Sequence, residues 1–141
     1  MLDRVSRRVL VPALCTCVAS MTLATTTRVA AGQATTPAAA HKQMMNDASD
    51  AQEDFRFAVS DKDQKAAVAA LGKLEGFMGQ TVDYWTAKKA ADGVKLATAA
   101  KGSATQALAA AKAGNMTAAG EAFEKMGASC NACHDLHLEK R

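Results

Sequence analysis

The chain is poor in residues that interrupt helices and in those that staple small domains. Its 141 residues contain two prolines, Pro12 and Pro37. From His41 onward β-branched residues are sparse and no strand pattern precedes the cysteine pair near the far end, so a βαβ redox fold has no support. Only Cys130 and Cys133 lie outside the first 31 residues. Two cysteines three apart do not make a disulfide scaffold, even in an oxidising compartment. Excess charge is missing as well. From Gly32 onward, 13 Lys+Arg balance 13 Asp+Glu, and the +3 of the full sequence belongs to the leading segment. Without a basic patch, nucleic acid is excluded as a partner.

What is present begins with an export pattern. Arg4, Arg7 and Arg8 form a basic start, Val9 to Ala24 an apolar stretch, and Val29-Ala30-Ala31 a run of small residues. This reads as a cleavable secretory signal over residues 1–31, cut after Ala31 with Ala30 or Ala40 as rival positions. The apolar stretch is short and carries Pro12, so no stable membrane span is expected after processing. Cys15 and Cys17 fall inside it and need no structural role. Residues 32–40 are small and uncharged and read as a flexible lead-in; residues 41–141 form one domain with one modest core.

That domain is rich in Ala, Lys, Glu, Gln, Met and Leu, and four segments show a helical period. The first covers about 41–60, with Met44 or Met45, Ala48, Ala51 or Gln52, Phe55 and Val59 on one side. Ser60 or Asp61 is expected to cap the second, about 62–86, where Ala67, Leu71, Leu74, Met78, Val82 and Trp85 share a face. Gly72, Gly76 and Gly79 weaken that helix, and close approach by a neighbouring helix or ring would account for them. The third covers about 90–112, with Val94, Ala97, Ala100 or Lys101, Ala104, Leu108 and Ala111 inward. Ala113-Gly114-Asn115 ends it. In the fourth, Ala119, Phe123, Met126, Cys130, Cys133 and His137 share a side. Four amphipathic helices with short breaks predict an all-α, antiparallel up-down-up-down four-helix bundle. Its alanine-rich faces predict a thin core.

The fourth segment holds Cys130-Asn131-Ala132-Cys133-His134. This is the attachment pattern for haem c: each thiol adds to one vinyl group and the imidazole ligates the iron. Positions i, i+3 and i+4 lie on one side of a helix, so a single turn can hold both the ring edge and the metal. Two other readings exist. A thiol-disulfide pair would open a helix after a strand, and zinc would need His137 as a crowded fourth ligand. A covalently held porphyrin would also supply the apolar bulk that the alanines do not, leaving the haem-free chain weakly folded.

An alanine-rich helical chain with an export signal and Cys-x-x-Cys-His in its last helix resembles the class II c-type cytochromes, the cytochrome c-prime superfamily. The resemblance implies one covalent haem c with its iron, a periplasmic location, redox protein partners and frequent homodimers. It implies either a low-spin electron carrier with a methionine from the first helix, or a five-coordinate form that binds small gases such as NO or CO. Gln43-Met44-Met45-Asn46-Asp47 is similar to the ligand region of low-spin members and maps the ligand onto Met45; Met44 and His41 are the rivals. Relatives often carry an aromatic residue followed by Arg or Lys where this chain has His137-Leu138. A peroxidase would want a distal histidine with a neighbouring Arg, and His41 is the one candidate. The expected role is therefore electron transfer and not enzyme catalysis, with Cys130, Cys133, His134 and Met45 as site residues. Replacing Cys130 and Cys133 together by alanine is expected to abolish covalent haem and lower both helicity and melting temperature. A double variant that melts unchanged would contradict the thin-core argument.

Overall fold

The computed structural model describes residues 36–137. The expected signal segment lies outside them. Four helices make up the described part: α1 (Pro37–Ser60), α2 (Gln64–Ala87), α3 (Ala91–Lys112) and α4 (Met116–Leu136). The chain is an all-α four-helix arrangement, and the described residues contain no strand. None of these helices is long and apolar enough to cross a membrane.

The helices start where side chains satisfy their free N–H groups. Thr36 caps α1, its hydroxyl accepting from the Ala39 N–H at 3.2 Å, and Pro37 follows at the first helical position. Residues 37–40, expected in the flexible lead-in, are therefore the first turn of α1. Asp63 caps α2 through Ala66 N–H at 2.9 Å, and Asn115 caps α4 through Ala118 N–H at 3.0 Å. Ser60 and Asp61 do not cap α2, because Ser60 ends α1 and Asp61 is its C-cap.

All three connections have the same construction. Each is three residues long, and its middle residue has a positive φ: Lys62 at 58°, Lys89 at 56°, Gly114 at 79°. In each, the third residue donates five positions back: Asp63 to Ala58, Ala90 to Trp85, Asn115 to Ala110. This Schellman closure satisfies the last carbonyls of one helix just as the next begins. Links this short force consecutive helices to run antiparallel.

Helix phase follows the expected period with local corrections. Met44, Ala48, Ala51, Phe55 and Ala58 are the buried side of α1, whereas Val59 is exposed. Alternating steps of four and three reach Ala58; Val59 falls on the flank. On α2, Thr81 is buried beside Met78, its hydroxyl donating to the Phe77 carbonyl at 2.8 Å, and Val82 is only half-buried. Gly72 and Gly76 face open space, and Gly79 sees only the tip of Lys101, so no neighbouring helix explains them.

Half of the buried positions among the described residues are alanine, and the largest fully buried side chains are Leu71, Leu74 and Met126. Truncating one of these three to alanine costs about 2–5 kcal/mol, a large share of a total of about 5–15 kcal/mol. α1 packs on α2, α2 on α3 and α3 on α4. α1 and α4 instead meet through long side chains. The Phe55 and Phe123 rings stand 4.6 Å apart, with the Arg56 guanidinium 5.2 Å over Phe123. A lysine at positive φ is strained where glycine is not. Lys62→Gly and Lys89→Gly are each expected to stabilise by about 0.5–1 kcal/mol, and Gly114→Ala to destabilise by about 1 kcal/mol. Urea midpoints check this; unchanged midpoints for all three would mean that the turns relax freely.

Candidate haem-attachment site

Antiparallel register sets which residues share a level. Phe55 and Phe123 face each other. Ten residues toward the start of α1 lies Met45, and ten toward the end of α4 lies Cys133. Both helices rise about 1.5 Å per residue, so Met44 and Met45 are level with His134 and Cys133. The same end of the bundle holds His41, Tyr84, Trp85 and Asp92.

On α4 the expected residues come together. Cys130 is half-buried against the main core, Cys133 is buried in a second cluster with Trp85 and Ala97, and His134 is half-buried. His137 closes the helix, donating its backbone N–H to the Cys133 carbonyl at 2.9 Å. Gly120, Gly127 and His134 recur at seven-residue spacing, beside the Phe123–Cys130 line. Nothing lies within 4 Å of a Cβ built at either glycine, so the flank leading to His134 is open.

Cys130 and Cys133 are not joined in a disulfide. Burial, and next the neighbouring Cys133, push the Cys130 thiol up to about 11. Burial, and next the Asp92 carboxylate, raise Cys133. The pair also sits in the last turns of its helix, where the backbone dipole disfavours an anion. A thiol-disulfide nucleophile needs the opposite environment, at a helix start and with a depressed pKa. Among the described residues no three His, Cys, Asp or Glu side chains converge to hold a metal ion, so the zinc reading lacks a ligand set.

The two methionines occupy different sides of α1. Met44 is buried and lines a recess of about 220 Å³ with Pro37, Ala40, His41, Gln80 and Tyr84. Met45 is half-buried against the core. It shares a flank with Gln52, seven residues on, and lies near the line of Arg56, which reaches across to Phe123 of α4. The His41 ring is stacked on Tyr84, centroids 3.7 Å apart and 5° from parallel, so it belongs to the aromatic end of α2.

Sequence reasoning overlooked Gly93 and Asp92. A Cβ at Gly93 would stand 2.7 Å from the indole Cδ2 of Trp85, which makes this the glycine that a close approach requires. Asp92 accepts the Gly93 N–H at 2.9 Å and places Oδ2 3.2 Å from His137 Nε2. A lone glycine in a first helical turn carries no signal of a ring arriving from another helix.

No family model matches the chain, and no curated protein or solved structure matches it. The fold is an all-α four-helix bundle, consistent with the broad cytochrome c-prime-like class of helical bundles. The residues present fit a covalently attached haem: two thiols and an imidazole on one helical turn, with open space beside Gly127 on the flank that leads to His134.

The raised thiols give a pH dependence with a definite sign. Below the ordinary thiol value near 9, both folded and unfolded chains hold neutral thiols. Between there and about 11 the unfolded chain ionises first, so stability of the haem-free protein falls as pH rises through that window. Denaturation midpoints at several pH values in wild type and Cys130→Ala check this, and the variant is expected to lose part of the slope. Equal slopes in both would place the titration elsewhere.

Proposed function

We propose that this protein is a periplasmic class II c-type cytochrome carrying one electron on a single haem c. The observation that carries this reading is the Cys130-x-x-Cys133-His134 turn at the end of the last helix of a four-helix bundle. Cys130 and Cys133 would hold the group by thioether bonds, His134 would be its proximal ligand and Met45 its distal one. When bound, the haem supplies a one-electron iron couple, and a thioether ligand raises its potential relative to a second histidine.

The chain's own residues do the rest. Trp85 and Ala97 enclose Cys133 on the inner side of the attachment turn. Ligands carried on packed helices would stay in place between redox states, which suits electron transfer with small reorganisation. His41, engaged with Tyr84, makes a poor distal acid–base group for peroxidase chemistry. Asp47, Asp50, Glu53, Asp54 and Asp61 along the outer side of α1 give a field that would orient a basic redox partner. Asp54 is partly neutralised by Lys73 at 3.0 Å. Export to the periplasm rests on the basic-apolar-small pattern of residues 1–31.

Ferric and ferrous absorption spectra test the ligand set. Met45→Ala is expected to convert a low-spin protein into a high-spin one that binds CO rapidly, Met44→Ala to leave the spin state unchanged, and His134→Ala to abolish the native midpoint potential. A spin change in Met44→Ala alone would move the ligand role there. A wild type already high-spin, and indifferent to both changes, would replace the electron carrier by a five-coordinate protein that binds small gases.

A further inference from the structure

Trp85 is the point where three helices meet at the attachment end. It belongs to α2 and lies against the first turn of α3. A Cβ at Gly93 would be 2.7 Å from its Cδ2, 2.8 Å from Cγ and 3.1 Å from Cε3, so any side chain there would displace the ring. On its α4 side it packs against Cys133 and stands 4.4 Å from the His137 ring. Its indole N–H is buried with no hydrogen-bond partner among the described residues, so the ring is held by packing and not by a polar anchor. His137 then returns the chain of contacts to α3 through Asp92, whose other oxygen takes the Gly93 N–H. Trp85, Gly93, Asp92, His137 and Cys133 thus form a closed circuit.

At the C-cap of α4 the described residues show the His137 N–H donating to the Cys133 carbonyl, which ties the Trp85 neighbours Cys133 and His137 to each other. Groups that must ligate within about 0.5 Å of a set geometry need packing behind them.

We propose that Trp85, seated on Gly93, is the positioning residue that fixes the last turn of α4 and shields Cys133 within it. Its consequence for an iron ligand, the aim of His134, rests on the haem reading; the seat itself does not.

The test separates the two. In the haem-free full chain, alkylation of Cys133 and Cys130 is followed by peptide mass analysis in wild type, Trp85→Phe, Trp85→Leu, Gly93→Ala and the Gly93→Ala/Trp85→Leu pair. Trp85→Leu and Gly93→Ala are each expected to speed Cys133 labelling relative to Cys130 about tenfold, as local opening without global unfolding. Trp85→Phe, which keeps a ring on the seat, recovers most of the protection. The double variant is no worse than Trp85→Leu alone, because the two residues act through one contact. Proportional acceleration of both cysteines in step with a falling melting temperature would overturn the proposal, as would additive effects in the pair. In the haem-loaded protein, Trp85→Leu is expected to shift the midpoint potential and the proximal-histidine signature, and Trp85→Phe to restore them. If labelling behaves as expected but no haem ever attaches, the seat stands and the haem reading falls. If haem attaches while Cys133 labelling is indifferent to every variant, the seat falls.

Discussion

Alanine at the helix contacts is the constraint from which the rest of this molecule follows. Ala67, Ala104, Ala107, Ala111 and Ala119 are fully enclosed, and such small side chains let three consecutive helix pairs come close. Close packing of small groups contributes little apolar area, at about 25 cal/mol per Å². Cohesion therefore falls on a few large residues: Leu71, Leu74, Met126 and the Phe55–Phe123 pair. The fourth seam, α1 against α4, is not among the closely packed helix pairs. Phe55, Phe123 and Arg56 span it at one level, and Gly120 and Gly127 leave α4's flank open beside it. The Cys130–His134 turn stands at the end of that seam.

The opposite arrangement holds beneath the turn. Where the seam is loose, the junction of α2, α3 and α4 is tight enough that only glycine fits under Trp85. Each connection uses a left-handed residue to keep its link to three residues, and two of the three use lysine where glycine would be unstrained. The bundle accepts that strain to hold register, and register is what brings the start of α1 level with the end of α4.

Much of this was legible in the sequence. Sparse proline and the spacing of Ala48, Phe55, Leu71, Leu74, Leu108 and Phe123 indicate four helices and their inner faces. Gly114-Asn115 marks the last turn, because αL glycine followed by a capping asparagine has few other uses. The other two turns were obscured, since Lys62 and Lys89 adopt positive φ without a residue type that advertises it. The start of α1 was hidden by composition: small uncharged residues read as a linker until Thr36 and Pro37 are seen as cap and first helical residue. Cys130, Cys133 and His134 are recognisable as a local pattern. The choice between Met44 and Met45 is not, because both fit a broad helical stripe; only the side reached by Arg56 tells the two flanks of α1 apart. The Trp85–Gly93 contact links positions on separate helices and has no local signature.

The central claim is that Cys130 and Cys133 carry a haem, and the most direct measurement is the intact mass of protein exported by a host equipped for c-type haem attachment. It would be followed by mapping of the peptide that contains residues 130–134. The account predicts a mass increase of one haem on every mature chain, located on that peptide and resistant to acid extraction. An unmodified mass, with both thiols free to alkylate in the unfolded chain, would contradict it.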